Sequence, residues 1–211
     1  MLFRSGVVLA ILMFIREQIH SSTIRHQSRG DVTFSKRVRS RKEREALLEH
    51  GANTLIYELQ GSLFFGNTDA LYRTLEPELE RARYLILDFQ RVQSIDMTAA
   101  HMLDRVRSQL SERGATLVLS RLPFTLPTGR NLRGYLKELG VTQSGQEIRM
   151  FDDFADALEW VEEETLRALG VHADEGRPLK LEEFDLFSDM QQDTLAALQR
   201  CVHKQIGRAH V

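Results

Sequence analysis

Two short, almost uninterrupted apolar runs constrain this chain most: Tyr84-Leu-Ile-Leu-Asp-Phe89 and Ala115-Thr-Leu-Val-Leu119. A strand with one wet face alternates apolar and polar residues, whereas a run of this kind belongs to a strand covered on both faces. Helices must therefore lie above and below a shared sheet, and the spacing supplies them. Ala99, Leu103, Val106 and Leu110 form one helical face that ends at Gly114. Asn67 or Thr68 is placed to cap a helix lined by Leu71, Leu75 and Leu79, and Pro77 predicts a kink or break after Leu75. Asn131 opens a short helix with Leu132, Tyr135, Leu136 and Leu139 inside, stopped by Gly140. Asp152 and Asp153 suit the positive start of a last helix that packs through Phe154, Ala157, Leu158 and Val161 and stops at Gly170. Thr54–Leu59, Leu63–Phe65 and Ile148–Phe151 read as further strands. Strands alternating with helices predict an open α/β sandwich with a largely parallel sheet.

Charge is unevenly spread along the 211 residues. Residues 6–50 hold nine basic and five acidic side chains, while residues 147–189 hold four basic and fourteen acidic ones. The net charge of −2 gives no overall drive toward nucleic acid. A single cysteine, Cys201, excludes a disulfide framework and a cysteine-rich zinc site. Of the seven histidines, His20, His26, His50, His101, His172, His203 and His210, none pairs at metal-ligand spacing with another His or Cys.

The ends carry separate expectations. Gly6–Ile15 is a ten-residue apolar run that turns polar at Arg16, half the length that spans a bilayer. It reads as the end of a truncated membrane helix, a signal peptide or a short buried helix, and the basic residues after it favour the first. Residues 16–52 read as a basic linker with a short helix at Lys42–Glu49. Residues 1–5 and 206–211 resemble translated sequencing-adapter DNA and are set aside as a processing scar would be.

One motif invites a functional reading. The run Ser94-Ile-Asp96-Met-Thr98-Ala-Ala follows the buried strand and opens the next helix. Asp96 sits at the helix start and Thr98 in its first turn, where unpaired N–H groups and the helix dipole receive a capping oxygen or a phosphate. A plain cap and a phosphoacceptor both fit these residues. Asp88 lacks the earlier-strand acids of a phosphoacceptor receiver site. Arg121, Arg130 and Arg133 fit an anion patch or a solvated loop. No Gly-rich phosphate loop or nucleophile elbow is present, so the sequence does not read as an enzyme and calls for no cofactor.

The runs Gly61-Ser-Leu-Phe-Phe-Gly-Asn67, Leu85-Ile-Leu-Asp-Phe89 and Ile95-Asp-Met-Thr-Ala-Ala100 resemble a STAS domain over residues 53–170, above all that of SulP-type sulfate and anion permeases. The resemblance implies an α/β fold with a small mixed, largely parallel sheet flanked by helices, working as a non-catalytic, partner-binding module. It would lie at the cytoplasmic face of the inner or plasma membrane, behind the transporter membrane domain of the same full-length chain. A STAS–STAS homodimer or a signalling protein is a further implied partner. In anti-sigma factor antagonists of the family a Ser or Thr in this motif is phosphorylated. Thr98 matches the acceptor, Asp96 the acid, and Ser94 supports the motif, while Ala99 replaces the expected glycine. The alternative function is thus a free-standing antagonist switched at Thr98. Beyond a linker at 171–177, residues 178–205 are similar to the opening of a cyclic-nucleotide-binding domain, which implies a cyclic nucleotide as ligand of the full-length protein.

Overall fold

A computed structural model describes residues 22–122, 131–138, 148–171 and 191–201, with single positions 7, 13, 129, 187 and 190. Five strands form one sheet: β1 (Ile24–Arg29), β2 (Thr54–Leu63), β3 (Tyr84–Ile95), β4 (Thr116–Ser120) and β5 (Ile148–Phe151). They lie in the order β1-β2-β3-β4-β5, the first pair antiparallel and the others parallel. The helices are α1 (Arg41–His50), α2 (Phe65–Leu79), α3 (Met97–Glu112), α4 (Leu132–Glu138), α5 (Phe154–Leu169) and α6 (Gln192–Cys201).

Crossovers between parallel strands keep one hand. Because β2 to β5 advance steadily in one direction, α2, α3 and α4 fall on a single face. The period-2 alternation of each strand then divides the core. Leu55, Tyr57 and Leu59, Leu85, Leu87 and Phe89, and Leu117 and Leu119 pack against Leu71, Leu75, Leu103, Val106 and Leu136 of those helices. Ile56, Tyr84, Ile86 and Val118 point the other way, onto Ala157, Leu158 and Val161 of α5. Helix α1 lies against α5. Both faces of β3 are therefore dry, as its apolar run predicts. Gly114 (φ 69°) and Gly170 (φ 67°) end α3 and α5 in the left-handed region, at the predicted stops.

Four expectations change. Residues 24–29 are not linker but an edge strand, with β1 paired to β2 from Ile24 opposite Leu59 to Arg29 opposite Leu55. Ile24 is their sole large apolar residue, so period alone does not reveal them. Backbone pairing and the Arg25–Glu58 (3.1 Å) and Arg29–Glu78 (2.9 Å) ion pairs hold the strand instead. The strand expected at 54–59 runs on to Leu63, absorbing Gly61 (φ 75°) where the register with β3 shifts, whereas Phe64 and Phe65 of the strand expected at 63–65 belong to the start of α2. Asn67 and Thr68 serve the start of α2 from within its first turns, because Phe64 takes the cap position. Pro77 does not end α2, which runs on to Leu79. Only two residues follow the proline, so the lost backbone bond falls in the last turn, and buried Leu75 and Leu79 keep that turn on the core.

Of residues 1–21 only Val7 and Met13 are described, both helical and exposed. The expected membrane-helix end at 6–15 otherwise lies outside the described residues. No helix among the described residues is long and apolar enough to cross a membrane. Most of the 171–177 linker and much of 178–205 also lie outside them, although 192–201 is helical and buries Leu195.

Tyr57 supplies a test of the α2–α3 face. Its side chain is fully buried and its hydroxyl has no hydrogen-bond partner. Burial, followed by the Glu78 carboxylate and opposed by Arg29, pushes its pKa up. Below the unfolded-state value of about 10 both states keep the proton, and above it the unfolded chain loses its proton first. Stability should accordingly fall as pH rises past about 10, and Tyr57→Phe should flatten that fall while leaving stability at pH 8 equal or slightly higher. Urea melts of both proteins at pH 8 and 10.5 measure it.

Candidate functional site at the paired starts of α2 and α3

Parallel neighbours β2 and β3 run past the end of β4 and finish together, Leu63 opposite Ile95. The chain then turns into a helix at both ends, so α2 and α3 begin side by side. Asp96 lies between them. Its Oδ1 accepts from the Ala99 N–H of its own helix at 2.8 Å, and its Oδ2 accepts from the Phe65 N–H of α2 at 3.0 Å. Its backbone N–H donates to the Leu63 carbonyl at 3.0 Å. One carboxylate thus satisfies unpaired donors at two positive helix ends. The cap read from the sequence is present, and the bond to Phe65 is an addition that no local pattern foretells.

Neighbouring side chains stiffen the turn before α2. Asn67 Oδ1 accepts from the Phe64 N–H at 3.0 Å, and its Nδ2 donates to the Ser62 carbonyl at 2.8 Å. Thr68 Oγ1 donates to the Phe64 carbonyl at 3.1 Å. Ser94 is half-buried and stands opposite Ser62 in the β2–β3 register. Thr98 is exposed in the first turn of α3.

Between α2 and α3 an open groove of about 620 Å³ is lined by Phe65, Thr68, Tyr72, Thr98, Met102 and Arg105, among others. Tyr72 forms part of its floor. The Tyr72 hydroxyl meets Glu76 at 3.0 Å and Gln109 at 2.9 Å, and the Arg105 guanidinium sits 4.1 Å from the ring centre. Two large apolar side chains stand in water at the first helical positions, Phe65 of the groove lining at 77% exposure and Met97, next to Thr98 in the chain, at 57%. These first helical residues escaped the sequence reading, since neither belongs to a periodic face.

The remaining candidates are occupied structurally. Asp88 is 2% exposed and accepts from Arg121 Nε at 2.7 Å, from its second nitrogen at 2.5 Å and from Ser120 Oγ at 3.1 Å. The hydrogen bond that Arg121 donates to Asp88 holds its guanidinium pKa above its ordinary value against the opposing effect of burial. The Arg121 backbone lies in the left-handed region, at φ 52°, and its N–H donates to the Phe151 carbonyl at 2.9 Å. Arg133 pairs with Asp152. Arg121 and Arg133 are therefore each paired with an acid of the chain, Arg133 at the surface, and Arg130 lies outside the described residues. No group of His, Cys, Asp and Glu among the described residues is arranged to hold a metal ion.

Because Asp96 serves two helices, Asp96→Ala should cost about 1–3 kcal/mol, more than loss of an ordinary cap. Asp96→Asn, which keeps one acceptor oxygen and loses the charge, should fall between. Urea denaturation gives the size, and hydrogen exchange at Phe65 shows whether the bond between helices is the part lost.

The comparisons with known proteins agree with this architecture. A curated relative, Glutaminase 2 of Bradyrhizobium diazoefficiens, is 29% identical over 164 residues, which is 78% of this chain and 25% of that one. The chain thus spans about a quarter of the length of that relative. A sulfate transporter family protein from Wolinella succinogenes is 30% identical, covering 55% of this chain and 88% of that structure with a TM-score of 0.45. The structure of SLC26A9 matches 78% of this chain and 28% of its own at 14% identity and a TM-score of 0.55, a likeness of fold. The model of the STAS domain family matches residues 45–157, more than half of the chain, and the chain belongs to the STAS domain family.

Proposed function

We propose that this chain is the regulatory, protein-binding STAS domain of a SulP-type secondary anion transporter, placed at the cytoplasmic face of the inner or plasma membrane. It is not transport-competent by itself and is not an enzyme. The observation that carries the reading is the pair Phe65 and Met97, large apolar side chains standing in water at the first positions of α2 and α3, with Phe65 lining the groove between those helices. Their neighbours' polar groups are already committed: Asp96 to two helix starts, Asn67 to a turn, Tyr72 to Glu76 and Gln109. Such a surface gains by covering apolar area and offers little acid–base chemistry. The transporter membrane domain of the full-length chain is the partner we assign. The likeness to a sulfate transporter family protein and to SLC26A9 supports that assignment. STAS–STAS pairing, a signalling protein, and a cyclic nucleotide bound by the full-length chain through residues 178–205 extend the same reading.

A second reading is favoured by one observation, the exposure of Thr98 in the first turn of α3. Here the domain is a free-standing anti-sigma factor antagonist switched by phosphorylation at Thr98, with Asp96 and Ser94 shaping the motif. Asp96 already fills the α3 start, so a phosphate on Thr98 would compete with it for the same N–H groups.

Co-purification decides between them. The transporter reading expects this domain to be retained by the membrane domain encoded in the full-length gene. Phe65→Ser with Met97→Ser should lower retention at least tenfold while urea stability changes by about 0.5 kcal/mol or less. A gene with no membrane domain, together with a kinase-dependent phosphate that Thr98→Ala abolishes, establishes the second reading and ends the first.

A further inference from the structure

The basic residues before α1 do not hang in solvent. Arg37 donates to Glu159 at 2.6 Å and also pairs with Glu163. Arg39, 6% exposed, reaches Glu162, 5% exposed, through two nitrogens at 3.2 and 3.0 Å. Ser35 adds its N–H and its hydroxyl to the two oxygens of the same carboxylate, each at 2.6 Å. Glu43, which caps the start of α1 with Ser40, lies 3.8 Å from Arg39. Residues 35–43 thus cross α5 on a ladder of charges, the meeting place of the basic and acidic stretches of the sequence.

What is missing from this ladder is apolar burial. Val32 and Val38 point into water at 75% and 64% exposure. Phe34 is covered by the Arg44 guanidinium, 4.3 Å from its ring centre. A buried ion pair adds little net stability compared with an apolar pair, yet removing one partner strands the other charge. A segment held in this way comes off when a charge is changed, without opening the core. The sheet-facing side of α5 is independently fixed by Ala157, Leu158 and Val161.

We propose that residues 35–43 are a charge-operated strap. Docked, the strap fixes the path of the chain across α5 between β1 and α1. Released, it bares Glu159, Glu162 and Glu163 as an anionic face, while β1 and the rest of the sheet stay folded. The strap does not depend on the proposed function.

Hydrogen exchange on the isolated 211-residue chain tests it, so the outcome is independent of which protein the domain serves. In Glu162→Gln and in Arg39→Met, amides of residues 35–50 should lose at least tenfold protection, while those of β3 and β4 change less than twofold. Wild-type protein, which involves no folding risk, should show the same ordering: residues 35–50 open more readily than β3, and more so as sodium chloride rises from 0.05 to 0.5 M. Unchanged protection at 35–50 in both variants overturns the proposal. So does loss of protection in strap and sheet together, which would make the strap one cooperative unit with the core.

Discussion

Dryness on both sides of β3 is the constraint from which the remaining architecture follows. A strand whose two faces both exclude water cannot stand at the edge of a one-layered sheet. It needs hydrogen-bonding neighbours left and right and helices above and below. β2 and β4 fill the first requirement and are themselves nearly as apolar. The second divides unequally. Crossovers of uniform hand consume α2, α3 and α4 on one face, so the other face must be closed by elements that are not crossovers at all. Helix α5, arriving after the last strand, and α1, arriving before the second, do this. The strap over α5 is a consequence: the chain has to travel from the β1 edge to α1 across the back of α5 before it can enter β2.

Asp96 illustrates how a register carries function. Because β2 and β3 stop together, two helix starts with like partial charge are brought side by side, an arrangement that repels unless something negative lies between them. The carboxylate meets that need, and the same geometry presents Phe65 and Met97 at the adjacent first helical positions. The exposed apolar pair and the structural keystone are therefore neighbours here, and neither can be altered without regard to the other.

Legibility in the sequence tracked the physics that holds each part. The core strands Tyr84–Phe89 and Ala115–Leu119, the α3 face and the glycine stops were readable because apolar period and left-handed caps are local signals. Strand β1 was not, since Ile24-Arg-His-Gln-Ser-Arg29 is held by pairing to a segment thirty residues away and by ion pairs, and a polar edge is what protects a sheet from adding further strands. Helix α1 was found by composition, although Ser40 followed by Glu43 announces a reciprocal cap more sharply. The Asp96 cap was visible locally, but its second bond to Phe65 spans thirty-one residues and depends on strand register. Charge asymmetry between the two ends was plain, whereas the pairing of Arg39 with Glu162 required the fold.

The one tryptophan of the chain lies away from the groove between α2 and α3. Trp160 sits on α5 with its ring edge-on to Tyr84, 6.0 Å between centres, and tilted against Phe151 at 5.8 Å. The Arg149 guanidinium lies over it at 5.4 Å. Tryptophan fluorescence, excited selectively, therefore looks at the back of the molecule only. Emission should track events along α5 while staying nearly blind to whatever settles into the groove on the opposite side, which makes the protein a one-sided optical reporter.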